Sequence, residues 1–250
     1  DLKKVFIEKG SEIAGFIREP YVQAAGGMKV ATDGYLNTVR SLCDEYEVLL
    51  ILDEVATGFG RTGKMFACEH DNITPDIMVL GKGLTGGYLP LSATITTQNI
   101  FDTFLGEYDE LKTFFHGHSY SGNPLSCAAA IANLEIFESE NTLEKLQKNI
   151  LFFENELKEF KGLKSVSSIR NKGLMAGIDL VKNPENNQKY EIKDRIGKKV
   201  CDAALKEGVL LRPLGDTIVL MPPISINESE IKKLTKVTYK AIKDVTENNV

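Results

Sequence analysis

Two residues that could do chemistry together follow two apolar runs of the sequence. Asp53 comes directly after Val48–Leu52, and Lys82 follows Asp76–Leu80 within Gly81-Lys82-Gly83. Apolar runs of this length are typical of buried parallel strands, whose carboxyl ends meet at the ligand-binding edge of an open α/β sheet. An amine and a carboxylate at that edge, with glycines that let a flat ligand come close, suit pyridoxal phosphate. The lysine would form a Schiff base, and the aspartate would keep the pyridine nitrogen protonated.

Both residues also have an ordinary interpretation. A lysine after a strand is commonly a solvated loop residue, and an acid that ends a strand is commonly a helix cap or a salt-bridge partner. Taken singly, neither Asp53 nor Lys82 decides between the two interpretations.

The segment Gly58-Phe59-Gly60-Arg61-Thr62-Gly63 matches the G-x-G-x-x-G pattern of dinucleotide-binding loops. That pattern belongs at a strand-to-helix turn, whereas here residues 54–57 intervene and no helical pattern follows Gly63. We therefore predict a turn-rich loop that carries Arg61 towards the site, and no dinucleotide-binding fold.

Two of the three histidines lie in the segment His116–Asn123, which also holds hydroxyl and glycine residues. A pair of histidines can ligate a metal, but no further ligand set stands out, so we expect no metal. Small hydroxyl residues just before a helix N-terminus favour a phosphate contact, and an ordinary capped turn is the alternative. Arg212 ends a predicted strand before Pro213, where its fork could bind a substrate carboxylate or form a surface salt bridge.

The elements that must position these residues alternate between strands and helices in the first part of the chain. The apolar patterns predict an α/β fold with a mainly parallel sheet: strands at Ile13–Arg18, Val48–Asp53, Asp76–Leu80 and Leu91–Thr96, and helices at Thr32–Tyr46 and from Pro124 to Phe137. Asn123 is the predicted N-cap of the last helix.

The pattern changes near residue 138 to a smaller α+β portion, which predicts two domains, 1–138 and 139–250. Apolar residues at helical spacing run from Leu143 to Phe160. The later elements are predicted as strands at Gly173–Val181, Val209–Arg212 and Thr217–Met221, and helices at Ile192–Lys206 and Glu228–Glu247.

Composition excludes several classes of protein. The 250 residues carry 30 basic and 35 acidic side chains, a net charge of −5, which argues against nucleic acid as the main partner. No apolar run is long enough to span a bilayer. The four cysteines form no C-x-x-C pair, which favours unpaired thiols in a reducing cytoplasm.

Five segments resemble class III aminotransferases of the pyridoxal-phosphate fold type I, in the same order and over nearly the whole chain. They are Glu19–Gln23, Gly26-Gly27-Met28, Leu52–Gly63, Pro75-Asp76 and Gly81-Lys82-Gly83. The resemblance implies that Lys82 is the Schiff-base lysine and that Asp53 pairs with the pyridine nitrogen. It also implies a homodimer with the active site at its interface.

The same resemblance assigns further site residues. His118 and Ser119 would reach the cofactor phosphate of the neighbouring subunit, Gly117 would lie against substrate, and Arg212 would bind a substrate carboxylate. Arg61 matches a loop arginine near the active site. The chain departs from the common family pattern at Ala25, His118 and Ser119, although a serine keeps the hydroxyl.

Ala56 and the segments Ala67–His70, Leu84–Thr94 and Leu220–Pro223 resemble the members of the class that act in biotin biosynthesis. This implies ping-pong transamination of 8-amino-7-oxononanoate to 7,8-diaminononanoate, with S-adenosylmethionine favoured over lysine as the amino donor. The alternatives are another class III ω-aminotransferase and a non-catalytic fragment that keeps the fold. Because family members are much longer and the matches fall in their later part, we expect this chain to be incomplete and inactive alone.

Overall fold

The computed structural model describes residues 2–247. Its helices are α1 (Leu2–Lys9), α2 (Tyr35–Glu45), α3 (Gln98–Asp102), α4 (Pro124–Ser139), α5 (Thr142–Lys158), α6 (Ile196–Lys206) and α7 (Glu228–Thr246). Its strands are β1 (Gly15–Arg18), β2 (Val22–Gln23), β3 (Lys29–Val30), β4 (Leu49–Asp53), β5 (Ile77–Leu80), β6 (Ala93–Thr96), β7 (Val166–Lys172), β8 (Met175–Leu180), β9 (Arg212–Leu214) and β10 (Thr217–Leu220).

The chain divides into two compact units. Among the described residues, the first comprises 2–21, 31–59 and 64–142, and the second comprises 22–30, 60–63 and 143–247. The second unit therefore takes two short segments from the first part of the chain, one at β2–β3 and one within the glycine-rich loop.

The sheet of the first unit has the strand order β1-β4-β5-β6. β1 pairs with β4 and β4 with β5 in parallel, whereas β6 runs antiparallel to β5. The predicted α/β fold with a mainly parallel sheet is confirmed, and the four predicted strands of this unit are all present with slightly narrower bounds.

The two faces of β4 are buried to different extents within the described chain. Leu50 and Leu52 are buried, and α2 packs beside β4 with Leu36 and Val39 buried. Leu49, on the opposite face, is 38% exposed. The predicted parallel strand is confirmed, and because side chains alternate between the two faces, the two faces of β4 differ in burial within the described residues.

A distant carboxylate caps the start of α2. Gly34 precedes the helix and has no side chain to cap it, but Asp71 accepts from the backbone N–H groups of Gly34 (3.3 Å) and Leu36 (3.2 Å). Asp71 also accepts from the hydroxyl of Tyr21 at 2.7 Å. One carboxylate thus joins α2 to the segment that follows β1, and it satisfies N–H groups that the helix leaves open.

The second unit contains an antiparallel sheet of order β7-β8-β10-β9 with α5, α6 and α7 packed around one core. Buried aromatic and aliphatic side chains of that core include Phe153, Phe160, Ile178, Ile218 and Ile242. The helical pattern from Leu143 to Phe160 is confirmed by α5 and the short 3₁₀ turn that follows it.

One strand prediction in this unit is wrong, and one further strand has no counterpart among the predictions. The strand predicted at Val209–Arg212 lies at Arg212–Leu214, because Val209 is a buried loop residue before it. β7 was not predicted at all, since its polar sequence gives it no apolar face, and its pairing with β8 is what defines it.

The predicted N-cap of α4 is confirmed, and α7 is capped in the same way. Asn123 accepts from the N–H groups of Leu125 and Ser126 at the start of α4, and Asn227 accepts from Glu230 N at the start of α7. All four cysteines are free thiols, in agreement with the prediction. Within residues 2–247, no helix combines the length and apolar character that a membrane span requires.

Candidate active site

Asp53 and Lys82 lie at the ends of neighbouring parallel strands. Asp53 is the last residue of β4 and stands opposite Val79 of β5, and the ladder continues with Glu54 N donating to Val79 O at 2.9 Å. Lys82 follows β5 within two residues and is exposed. Both residues therefore stand at the carboxyl edge of one sheet, as the sequence predicts.

The backbone of Lys82 is strained. Lys82 has φ +42°, in the left-handed region, and it opens a 3₁₀ turn from Lys82 to Thr85. For a residue with a Cβ this region costs about 1–2 kcal/mol. Strain of this kind persists only where the surroundings hold it, and it clusters at functional sites.

Two side chains hold the turn that begins at Lys82. Asn133 of α4 donates through Nδ2 to Gly83 O (2.9 Å) and Leu84 O (3.2 Å). From another direction Phe59 packs so closely that a Cβ on Gly83 would lie 2.9 Å from the Phe59 Cβ. The lysine backbone is thus fixed between α4 and the loop that follows Asp53.

That loop folds around a buried carboxylate. Glu54 is 0% exposed, and it accepts from Cys68 N at 2.9 Å and from the Thr57 hydroxyl. Burial raises the pKa of the Glu54 carboxyl above its ordinary value, although these donors oppose the shift. Burial, together with the neighbouring Glu54 carboxylate, raises the pKa of the Cys68 thiol to about 12, so this thiol is not a nucleophile.

Asp53 is oriented by its own loop. Its Oδ1 accepts from Val55 N at 3.0 Å, and its side chain is half-buried. This bond ties Oδ1 to the backbone of Val55. The Asp53 side chain therefore has a defined orientation at the sheet edge.

The glycine-rich loop does not form a dinucleotide-binding turn. Bends follow Gly63, and the next regular element is a short 3₁₀ helix at Ala67–His70, so no α-helix begins at this loop. Within the second unit Arg61 donates through Nη1 to Pro222 O, and Arg61 O accepts from Leu174 N at 3.0 Å. Burial lowers the pKa of the Arg61 guanidinium.

Gly117, His118 and Ser119 lie in an exposed irregular segment of the first unit. His118 N donates to Ser121 Oγ at 3.1 Å. The centroids of the His118 and His116 rings are 5.3 Å apart. No hydrogen bond joins these three residues to Asp53 or Lys82. Residues 2–247 contain no group of histidine, cysteine and carboxylate side chains that could hold a metal.

Arg212 opens β9 in the second unit, opposite Val219 of β10. Its side chain is exposed, and no carboxylate of the described chain forms an ion pair with it. The surface salt bridge considered from the sequence is therefore absent from the part of the chain that the structure describes, and the guanidinium fork is free for a ligand.

Sequence reasoning missed Glu54 and Asn133. Glu54 stands directly after Asp53 with Thr57 three residues on, a spacing that could have suggested a local turn. Asn133 is a half-buried amide within an otherwise apolar stretch of α4, and its hydrogen bonds to the Lys82 turn show its role.

An open α/β sheet with an acid and an amine on adjacent strand ends defines the class of protein that binds its ligand at the carboxyl edge of the sheet. A family model described as aminotransferase class III matches residues 1–242. The chain belongs to the class III aminotransferase family.

Three relatives of this chain share one name. Adenosylmethionine-8-amino-7-oxononanoate aminotransferase of Geobacter sulfurreducens is 48% identical over 246 residues, which cover 98% of this chain and 54% of the relative. The corresponding protein of Aquifex aeolicus is 49% identical over 239 residues, covering 96% and 53%. The crystal structure of the protein of that name from Methanocaldococcus jannaschii aligns with a TM-score of 0.95 at 46% identity, covering 97% and 56%. The chain spans about half the length of the relatives it matches.

Proposed function

We propose that this chain is part of a pyridoxal-phosphate-dependent aminotransferase that converts 8-amino-7-oxononanoate to 7,8-diaminononanoate in biotin biosynthesis. The observation that carries the proposal is the pair Asp53 and Lys82 at adjacent strand ends, braced by one loop. The names of relatives at 48% and 49% identity support the substrate. S-adenosylmethionine is the proposed amino donor, as those names suggest, and lysine is the competing one.

The residues at the sheet edge fit pyridoxal phosphate. Lys82 offers an exposed amine, Asp53 offers an oriented carboxylate, and a Cβ on Gly87 would meet nothing within 4 Å, which leaves open space beside the lysine turn. When bound, the cofactor supplies an electron-accepting ring that stabilises negative charge on the substrate carbon.

The chain's own residues then have distinct tasks. Lys82 Nζ would hold the cofactor, and the same amine would move a proton to and from the substrate carbon. The Asp53 carboxylate would pair with the ring nitrogen and favour its protonated form by charge and hydrogen bonding. Arg212 binds the carboxylate of the oxo-acid through its planar fork, and Arg61 and Gly117 line the substrate site.

A homodimer completes the site in this proposal. His118 and Ser119 stand on an exposed segment, where the Ser119 hydroxyl could donate to the phosphate of the partner's cofactor. We assign residues 1–138 to the cofactor-binding large domain and 139–250 to the small domain, and we place the enzyme in the cytoplasm.

The test is a substrate comparison with the full-length gene product. We expect 7,8-diaminononanoate from 8-amino-7-oxononanoate, detected by mass spectrometry, with S-adenosylmethionine as donor. Turnover with lysine in place of S-adenosylmethionine would change the donor only. Preference for β-alanine or ornithine as amino donor, with no amination of the oxononanoate, would reassign the chain to another class III ω-aminotransferase. Absence of turnover and of cofactor binding would favour a non-catalytic protein.

A further inference from the structure

We infer that Glu54 is a positioning residue that sets the spacing between Asp53 and Lys82. The inference rests on the proposed function, because it takes Asp53 and Lys82 as the two residues that hold the cofactor. It concerns a group that does not itself need to touch the cofactor.

Glu54 is the centre of the turn that follows Asp53. Its carboxylate accepts from the Thr57 hydroxyl and from Cys68 N, and its carbonyl accepts from Gly58 N at 2.9 Å. Glu54 and Thr57 are both 0% exposed. A carboxylate buried in this way stays only where donors compensate for its lost hydration, so these contacts define the shape of the turn.

Val55 and Phe59, which follow Glu54 in that turn, lie beside the two glycines that flank Lys82. A Cβ on Gly81 would lie 3.4 Å from Val55 Cγ1, and a Cβ on Gly83 would lie 2.9 Å from Phe59 Cβ. Phe59 is 3% exposed and adopts φ +57°, so it is both buried and held in a left-handed conformation.

One buried group thereby connects the two strand ends. Asp53 is joined to the turn by its bond to Val55 N, and the lysine turn is joined to it by the Val55 and Phe59 contacts. If the Glu54 contacts loosen, the Asp53 carboxylate and the Lys82 amine both lose the turn that supports them. Because catalysis depends on geometry held within fractions of an ångström, cofactor binding should suffer before the fold does.

The experiment compares two threonine-to-valine variants in the full-length protein loaded with pyridoxal phosphate. Thr57→Val removes the hydroxyl that donates to Glu54. Thr235→Val is the matched control, since Thr235 belongs to the second unit, is 3% exposed and donates to Glu156 at 2.8 Å. The readouts are the cofactor dissociation constant and the pH midpoint of the visible absorbance of lysine-bound cofactor, with thermal unfolding measured alongside.

We expect both variants to lower the unfolding temperature by similar amounts, and only Thr57→Val to raise the cofactor dissociation constant, by about fivefold or more, and to shift the absorbance midpoint. Glu54→Gln keeps the volume and an acceptor for Cys68 N, so it should stay within about threefold of the wild type.

Cofactor affinity and absorbance midpoint in Thr57→Val equal to those of Thr235→Val would overturn the inference. A dissociation constant for Glu54→Gln as poor as that of Glu54→Ala would also overturn it, because shape would then not be what Glu54 supplies. Failure of the wild type to hold the cofactor at Lys82 would instead overturn the proposed function.

Discussion

Phe59 packs against Gly83 at a distance that leaves no room for a side chain on the glycine. A Cβ there would lie 2.9 Å from Phe59 Cβ and 3.0 Å from Phe59 Cδ2. Gly83→Ala must therefore displace either the phenylalanine or the lysine turn. We expect a loss of about 1–3 kcal/mol in the free energy of unfolding, as for other overpacked sites, and weaker cofactor binding. Denaturant unfolding and absorbance titration measure the two effects.

Gly162→Ala is the control for that prediction. Its φ is not positive, and its Cβ would meet only the Tyr239 hydroxyl at 3.7 Å, in ordinary contact. It should leave cofactor binding unchanged. If Gly83→Ala were as stable and as well loaded as Gly162→Ala, the close contact would not constrain the lysine turn.

The Asn133 amide should be needed to keep the Lys82 turn in its left-handed conformation. Asn133→Ala removes the donor to Gly83 O and Leu84 O. We expect a loss of about 1–3 kcal/mol in the free energy of unfolding, since two carbonyls lose their partner, together with slower covalent attachment of the cofactor. Rapid-mixing absorbance measures the attachment rate, and Asn149→Ala, which removes the bond to Ile226 O at 2.7 Å in the other unit, is the control. Equal attachment rates in the two variants would contradict the role of Asn133.

Arg212 should separate substrate binding from cofactor binding. Its exposed, unpaired guanidinium predicts that Arg212→Ala raises KM for the oxo-acid by about tenfold to a hundredfold, the size expected for loss of a charge-assisted pair, with cofactor affinity unchanged. Arg212→Lys keeps the charge without the fork and should recover only part of the loss. Steady-state kinetics measures KM for the oxo-acid, and absorbance titration measures cofactor affinity. If Arg212→Ala weakened both equally, Arg212 would not belong to the substrate site.

The second unit should lose stability in acid through Asp179. Burial alone would raise the pKa of the Asp179 carboxyl, but Arg170 and the Thr217 hydroxyl bond it at 2.8 Å and 2.7 Å and hold its pKa below the ordinary value of 3.8. The folded state then binds the proton less readily than the unfolded chain. The stabilisation is complete above the ordinary pKa and is lost as pH falls through the lower, folded value.

Asp179→Asn tests whether the Asp179 carboxyl makes the second unit less stable as pH falls. The wild type should exceed the variant in free energy of unfolding by a constant amount above about pH 5, and the difference should shrink as pH falls below about 4. Urea unfolding across this range measures it. A difference that stays the same at pH 3 would mean that the Arg170 pair does not shift the titration.

Local patterns were sufficient to predict most elements of the first unit. The apolar runs that end at Asp53 and Leu80 are strands, because apolar runs this short are typical of buried strands. Asn123 followed by Pro124 is sufficient by itself to predict the start of a helix. The positions of Asp53 and Lys82 follow from those two strand ends and from the rule that parallel strands share a carboxyl edge.

Long-range contacts account for what the sequence left out. The cap of α2 comes from Asp71, which no local pattern connects to Gly34. β7 is a strand because β8 pairs with it, whereas its own residues are mostly polar. Glu54 is buried because residues near Cys68 fold over it, and the contact of Phe59 with Gly83 joins segments that have no periodic relation to one another.

Reductive labelling of Lys82 tests the central claim most directly. The full-length protein is loaded with pyridoxal phosphate, reduced with borohydride, digested and analysed by mass spectrometry, alongside Lys82→Ala and the exposed-lysine control Lys145→Ala. We predict one modified site, at Lys82, with the label and the visible absorbance lost in Lys82→Ala and kept in Lys145→Ala. Labelling spread over several surface lysines, or unchanged absorbance in Lys82→Ala, would contradict the account.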